Sequence, residues 1–175
     1  TRDYAATYAM TGFSSEAPKT MQMSFNAALK RQRVDMAEDG KNMSMIMDLG
    51  GQRVWMIEHT HRVAMELTPG AGPGGELPLS PIEKDATLTR TGADRVAGLA
   101  CTVYRVAHRG ETTGTACITA DGIMLRAEFE AGSTHGRVEA TSVSLAAQPQ
   151  ERFEVPAGYQ TMQMPGGMPG QPPRR

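Results

Sequence analysis

Methionines alternate with other residues along this chain, and the alternation is the feature that most limits how it can fold. Thirteen of the 175 residues are methionine, against four phenylalanines and one tryptophan. Met21 and Met23 are separated by one residue, as are Met43, Met45 and Met47. Successive side chains of a β-strand point to opposite faces, so this spacing places each run on one face of a strand. We therefore expect a sheet with one soft apolar face, because methionine is flexible and polarizable.

Turn residues divide the chain into short alternating segments. Asp39-Gly40, Gly50-Gly51 and Asp121-Gly122 are two-residue hairpin signals. Residues 68–85 are rich in proline and glycine and are expected to form a loop. The pattern predicts about eleven strands in a mainly β, antiparallel meander with little helix. A sandwich, a barrel and a strongly curved open sheet all remain compatible with it.

The turn positions predict which side chains share a face across neighbouring strands. Turns at Asp39-Gly40, Gly50-Gly51 and His59-Thr60 fix three successive hairpins, and the third would pair Met56 with Val63. All three turns place the same apolar residues on one face, which we call the methionine face. Its members are Val34, Met36, Met43, Met45, Met47, Val54, Met56, Val63, Met65 and Leu67.

The methionine face has two interpretations, a packed core or a cavity for an apolar ligand. The opposite face is not purely polar, since it carries Ile46, Trp55 and Ile57 beside Ser44 and Asp48. A sheet that is apolar on one side and partly apolar on the other is expected to curl. Methionine stands where isoleucine, leucine or phenylalanine would pack more specifically, and this favours the ligand cavity.

The two cysteines predict a disulfide. A hairpin with its turn at residues 108–110 would oppose Cys101 and Cys117 directly. Directly opposed antiparallel residues have Cα atoms about 4.5–5.5 Å apart, which a disulfide can bridge. The bridge would indicate an oxidising compartment, and two buried thiols in a cytosolic sheet are the alternative.

Composition and motifs exclude several classes of function. The formal net charge is −1 and no basic stripe is present, so a nucleic-acid partner is not expected. No apolar run is long enough to span a membrane as a helix. The sequence contains neither a nucleophile elbow nor a defensible pair of carboxylates, and a cofactor motif is also missing. We expect a non-enzymatic protein without a cofactor.

Copper binding is an alternative interpretation of the methionines. Soft thioethers select Cu(I), and His59 and His61 are two residues apart at the end of a strand. Met162, Met164 and Met168 could add ligands. The spacing of the cysteines does not fit a zinc site.

Three short motifs carry a resemblance to a known family. They lie at Gly98–Tyr104, Asp121–Arg126 and Phe153–Tyr159, and the opening segment TRDYAATYAMTG fits as well. The chain resembles a family of uncharacterised bacterial periplasmic proteins, which are themselves similar to the outer-membrane lipoprotein carrier and receptor (LolA/LolB-like) half-barrels. The resemblance implies a single antiparallel, strongly curved sheet of about eleven strands, an incomplete β-barrel around an apolar groove. It transfers no functional residue.

These observations lead to one expectation about function. We expect residues 1–160 to form a half-barrel domain and residues 161–175 a mobile tail. The protein would bind a lipid, an acyl chain, a lipidated protein or another apolar ligand such as an apolar peptide in the periplasm, after removal of a signal peptide. Lipid anchoring and a peripheral position at the outer membrane are compatible with this interpretation. A structural or assembly protein with a filled core is the remaining alternative.

Overall fold

The described part of the chain is almost entirely β-strand. The computed structural model describes residues 2–12, 20–38, 40–67, 86–108, 111–131 and 134–164. The strands are β1 (Tyr4–Thr11), β2 (Thr20–Asn26), β3 (Arg31–Glu38), β4 (Lys41–Asp48), β5 (Arg53–Glu58), β6 (Val63–Leu67), β7 (Thr87–Val96), β8 (Leu99–His108), β9 (Glu111–Ile118), β10 (Met124–Ala131), β11 (Thr134–Ser144) and β12 (Gln160–Met164). A single 3₁₀ turn within these ranges, Gln150–Phe153, precedes β12.

All twelve strands belong to one curved sheet that does not close into a barrel. Their order is β12-β6-β5-β4-β3-β2-β1-β11-β10-β9-β8-β7. Two meanders, β1–β6 and β7–β11, are joined where β1 pairs with β11. The predicted mainly β, strongly curved, open sheet is therefore confirmed. It is mixed rather than wholly antiparallel, because β12 runs parallel to β6.

Strand β12 corrects the expected end of the domain. Residues 161–164 were expected in the mobile tail, but they pair with β6. The Gln160 amide donates to the Arg62 carbonyl at 2.9 Å, which starts the strand on the free edge of β6. Residues 165–175 of the expected tail, Met168 among them, lie outside the described residues.

The hairpins of β3–β6 test the predicted register. Met36 opposes Met43, and Met47 opposes Val54, so the first two turns are confirmed. The third is wrong by two residues, because Met56 opposes Met65 rather than Val63.

A four-residue turn, in place of the predicted two-residue turn, explains the register of β5 and β6. The Glu58 carboxylate accepts hydrogen bonds from the Thr60 and His61 amides at 2.8 and 2.9 Å, and Arg62 takes a φ of 55°. A displacement of two residues keeps every side chain on its face, so the predicted face survives the error.

The hairpin of β8 and β9 carries the disulfide. Cys101 and Cys117 are joined, and their Cα atoms are 5.4 Å apart. The expected direct opposition is wrong, because Val103 opposes Cys117. The pairing of His108 with Glu111 shifts the register by one residue from the expected turn, and a bulge between Val106 and Ala107 shifts it by one more, so the bridge runs diagonally between the strands.

The sheet curls most strongly in β7–β11. Strand β7 contacts β11, although three strands separate them in the sheet order. Arg126 of β10 donates to Asp94 of β7 at 2.8 Å, and this hydrogen bond lowers the pKa of the Asp94 carboxyl. Tyr8, Ile123 and Leu125 are buried in the largest core cluster of the described residues, which includes both cysteines.

Candidate functional site: the methionine face

Methionines stand directly opposite one another across neighbouring strands. The longest cross-strand row runs from β12 to β2 through Met162, Met65, Met56, Met45, Val34 and Met23. A second row crosses β2, β3 and β4 through Met21, Met36 and Met43. The rows share the face predicted from the turns, because directly opposed residues lie on the same side of a sheet. Sequence reasoning had not placed Met21, Met23 and Met162 on it.

The methionine face combines a buried base with a partly exposed surface. Val34, Met47 and Val54 are buried and contact one another. Met36 and Met45 are only partly buried and pack against that base. Met43, Met56, Val63 and Met65 are also partly buried. The partly exposed side chains of the face are therefore mainly thioether and aliphatic groups, and they lie around the buried base.

The opposite face of the same strands is sealed. Ile46, Ile57 and Ala64 have no exposed surface, and Trp55, Val155 and Tyr159 pack against them. Val155 and Tyr159 belong to the segment that leads from the 3₁₀ turn to β12, and Phe153 at the end of that turn is fully buried. Core packing in β4–β6 is therefore concentrated behind the methionine face.

Two aromatic side chains fix the border of the face on β1 and β2. The Tyr4 and Phe25 rings stack with centroids 6.1 Å apart. The Tyr4 hydroxyl and Gln32 Nε2 both donate to the Met23 sulfur, at 3.3 and 3.1 Å. Burial raises the pKa of Tyr4 to about 12, so the hydroxyl keeps its hydrogen at neutral pH. These contacts hold the Met23 side chain in place.

A polar cluster on the sealed face contains a serine and a histidine in contact. Ser44 Oγ lies 2.5 Å from Asp35 Oδ1 and 2.7 Å from His59 Nε2, and Arg33 Nη2 donates to it at 2.9 Å. An ionised carboxylate only accepts, so the single hydroxyl hydrogen of Ser44 goes to Asp35. His59 Nε2 must then donate to Ser44, and His59 Nδ1 lies 2.8 Å from the Tyr159 hydroxyl.

This hydrogen-bond order is the reverse of the one a serine nucleophile needs. A catalytic histidine accepts the hydroxyl hydrogen of serine, whereas His59 donates to Ser44. Ser44 is also buried. The cluster is built to tie Tyr159 and the C-terminal segment to the sheet.

The histidines proposed as copper ligands have other partners. Both ring nitrogens of His59 are hydrogen-bonded, and His61 Nδ1 lies 2.6 Å from Glu58 Oε2. Burial would raise the pKa of Glu58, but hydrogen bonds from His61 and Thr60 lower it to about 2. Within the described ranges, no three His, Cys, Asp or Glu side chains form a metal-binding group.

Two shallow grooves lie at the margins of the methionine face. The larger, about 430 Å³, is lined by Trp55, Ala64 and Glu66 of the opposite face together with residues of β12, Met162 among them. The smaller, about 280 Å³, lies over β1, β2 and β11 and includes Met23. In the part of the chain that the structure describes, the methionine face belongs to a sheet that does not close into a barrel. Among the described residues, no helix has the length and apolar character needed to cross a membrane.

Comparisons with solved structures place this fold among known ones. An uncharacterized conserved protein from Thermus thermophilus matches with a TM-score of 0.65 and 14% identity, over 93% of this chain and 91% of that one. MucB of Pseudomonas aeruginosa, solved in complex with MucA, matches with a TM-score of 0.45 and 16% identity, over 93% and 58%. A LolA superfamily protein from Nitrosomonas europaea matches with a TM-score of 0.42 and 8% identity, over 87% and 90%. The similarity to the Thermus protein shows a shared fold.

Comparison of sequences identifies the family. No protein with a curated description matches the chain in sequence. A family model described as a domain of unknown function, DUF4412, matches residues 9–132. That range covers most of the chain, from β1 into the connection that follows β10. The expected membership of an uncharacterised family is confirmed: the chain belongs to the DUF4412 family.

Proposed function

We propose that the protein is an extracytoplasmic, non-enzymatic carrier that holds an acyl chain against the methionine face. One observation carries this proposal. Most apolar residues of β3–β6 on the methionine face are partly exposed, whereas Ile46, Ile57 and Ala64 on the opposite face have no exposed surface and pack with Val155 and Tyr159 of the C-terminal segment. A sheet of this kind has completed its core on one side and keeps an adaptable apolar surface on the other. Methionine suits such a surface because it repacks around ligands of variable shape.

The energetics set the expected affinity. Each methylene moved from water to an apolar surface contributes about 0.8 kcal/mol, so about ten methylenes in contact would give roughly 8 kcal/mol. Association and ordering remove several kcal/mol of this gain. We therefore expect dissociation constants on the order of micromolar or weaker.

The disulfide supports the compartment. Cys101 and Cys117 are both oxidised, and no free cysteine occurs among the described residues. Stable disulfides belong to oxidising environments such as the bacterial periplasm. A periplasmic carrier would meet acyl chains as free lipids or as the lipid groups of a lipidated protein.

Absence of a nucleophile–base pair at Ser44 and His59 supports a binding role. The best candidate for chemistry within the described residues is committed to a structural hydrogen-bond network. Thioether and aliphatic side chains make up most of the methionine face, and they can bind but provide no group for acid–base or nucleophilic catalysis. Glu58, which lies on the same face opposite Met43, accepts hydrogen bonds from the Thr60 and His61 amides.

Neighbouring positions on β3 provide a matched test. Met36 lies on the methionine face, and Ala37 is exposed on the other side of the strand. Met36→Asp and Ala37→Asp add the same charge one residue apart. Binding of a fluorescent long-chain fatty acid should weaken about tenfold or more in Met36→Asp, because a carboxylate on the face must stay hydrated. Ala37→Asp should bind as the parent protein does.

Either of two results would contradict the proposal. Equal binding by both variants would place the ligand elsewhere, with the groove at Trp55 as the next position to probe. No binding of fatty acids, phospholipids or lipopeptides by the folded parent protein would favour a structural protein with a filled core. Circular dichroism of each variant establishes that the sheet is intact before binding is compared.

A further inference from the structure

Four methionines form an uninterrupted row at one end of the sheet. Met45 opposes Met56, Met56 opposes Met65, and Met65 opposes Met162. Adjacent strands are about 4.8 Å apart, so neighbouring side chains of a row start close together. Each methionine side chain has three rotatable bonds, and three or four sulfur atoms can therefore converge on one point above the sheet.

Three of the four side chains lie outside the buried clusters of the described residues, whereas Met45 packs against the buried base of the methionine face. Met56 and Met65 belong to none of the three clusters of buried residues in the described part of the chain. Met162 is 50% exposed at the edge strand. Met23, by contrast, is held in place by two donors to its sulfur. The exposed end of the longest row, rather than its β2 end, is thus free to rearrange around a ligand.

The chemistry of the row selects a soft cation. Thioethers prefer Cu(I) and similar soft ions, whereas zinc, magnesium and calcium prefer imidazole, thiolate or oxygen ligands. Both cysteines are in the disulfide, and His59 has both nitrogens engaged. A thioether site here would depend on methionine alone.

We propose that Met45, Met56, Met65 and Met162 form a thioether site for a soft monovalent cation of the Cu(I) class. The site occupies the same face as the proposed acyl-chain surface but does not depend on that function. It differs from the methionine–histidine site considered from the sequence, because His59 and His61 take no part.

Leucine variants separate the metal site from the apolar surface. Leucine conserves the volume and apolar character of methionine but lacks the sulfur, so Met45→Leu/Met56→Leu/Met65→Leu should fold and keep its apolar face. The probe is Ag(I), a redox-stable ion of the same class, added as the nitrate in chloride-free buffer. Native mass spectrometry should show one Ag(I) per parent chain, and competition titration should show affinity about tenfold or more lower in the triple variant.

The control removes the other methionine row. Met21→Leu/Met36→Leu/Met43→Leu deletes the same number of thioethers from the same face. It should bind Ag(I) as the parent protein does. Equal loss in both triple variants, or no Ag(I) binding by the parent protein, would overturn the proposal.

Binding of a fluorescent fatty acid by the same variants distinguishes this proposal from the proposed function. The leucine triple variant should retain fatty-acid binding while it loses Ag(I), because its face stays apolar. Loss of fatty-acid binding by the parent protein would leave the Ag(I) result unaffected. A direct map is also available: bound Ag(I) should protect Met56 and Met65, but not Met21, from oxidation by peroxide. Unchanged oxidation of Met56 and Met65 in the presence of Ag(I) would contradict the site.

Discussion

Both halves of the sheet are built from antiparallel hairpins, but their side chains pack in different ways. We call β1 and β7–β11 the disulfide half, and β2–β6 with β12 the methionine half. The disulfide half curls until β7 contacts β11, and it buries aromatic and branched residues such as Tyr8, Ile123 and Leu125. The methionine half stays open, and the buried residues of its methionine face are Phe25, Val34, Met47 and Val54 in the described part of the chain.

The difference follows from residue type. Tyrosine and isoleucine side chains have few accessible rotamers, and a disulfide is fixed by its covalent bond, so these groups specify one packed arrangement. Methionine has many accessible rotamers, and it tolerates partial exposure and variable contacts. The two kinds of surface meet at β1 and β2, where Tyr4 donates to the Met23 sulfur. The disulfide half is thus packed into one arrangement, whereas the methionine half keeps adaptable side chains on a partly exposed face.

Removal of the disulfide should have the largest effect on the free energy of unfolding. Cys101 and Cys117 are 16 residues apart, and a loop of this size contributes roughly 3 kcal/mol by constraining the unfolded chain. Cys101→Ser/Cys117→Ser should lower the free energy of unfolding in urea by about that amount. Hydrogen exchange should speed up most in β7–β9. A uniform increase in exchange across both halves would contradict a division of labour between them.

Alanine substitutions at two adjacent residues of β5 compare how tightly the two faces of the methionine half are packed. Ile57 has no exposed surface, whereas Met56 is partly exposed on the methionine face. Ile57→Ala should cost about 2–3 kcal/mol because it leaves a cavity in the sealed side, and Met56→Ala about 1 kcal/mol or less. Urea denaturation of both variants checks the difference. Equal costs would mean that the methionine face is packed like a core.

The pH dependence of stability should report on the turn between β4 and β5. The Gly51 amide donates to Asp48 at 2.7 Å, and this bond, with support from Arg31 and Arg53, lowers the pKa of the Asp48 carboxyl. A carboxyl whose pKa is lowered by folding stabilises fully above its unfolded value near 4 and loses the contribution as pH falls through the folded value.

Asp48→Asn tests that linkage. The variant should be about 1–2 kcal/mol less stable at pH 7 and should lose less stability than the parent protein between pH 5 and pH 2. Urea denaturation at a series of pH values measures both. Parallel pH profiles for the two proteins would show that Asp48 does not contribute through its charge.

A substitution at the border between the halves should have the smallest effect on the free energy of unfolding at neutral pH. Tyr4→Phe removes a hydroxyl that donates to a weak sulfur acceptor, so it should cost about 0.5 kcal/mol. Folding raises the pKa of Tyr4 to about 12, so stability is full below pH 10 and falls as pH rises toward 12. Tyr4→Phe should reduce that alkaline loss. An unchanged alkaline profile would place the loss at another group, such as Tyr8.

Local patterns in the sequence were sufficient to predict most of the fold. Period-two alternation and Gly-containing turns indicated the strands, and the turns at Asp39-Gly40 and Gly50-Gly51 predicted the register of β3–β5. The errors occurred where side chains changed a turn or a strand. Glu58 caps a longer turn than two residues. The cysteine pair is displaced from direct opposition by the pairing of His108 with Glu111 together with a bulge at Val106. Bulges and side-chain caps have no reliable short sequence signature.

Long-range pairings were beyond reach of the sequence. Strand β12 adds to β6 in parallel although nearly a hundred residues separate them in the chain, and β1 pairs with β11. The methionine face was predicted in its centre and missed at its borders for the same reason. Met162 joins the face only through the β6–β12 pairing.

Methyl NMR can show directly whether an apolar ligand binds on the methionine face. Protein labelled at the methionine ε-methyl groups would be titrated with a spin-labelled fatty acid. Binding on the methionine face predicts strong broadening of the Met36, Met43, Met56 and Met65 signals, while Met124 in the disulfide half stays sharp. Broadening at the Trp55 indole without broadening of these methyl groups would show that the ligand occupies the opposite face, and a carrier role for the methionine face would be wrong.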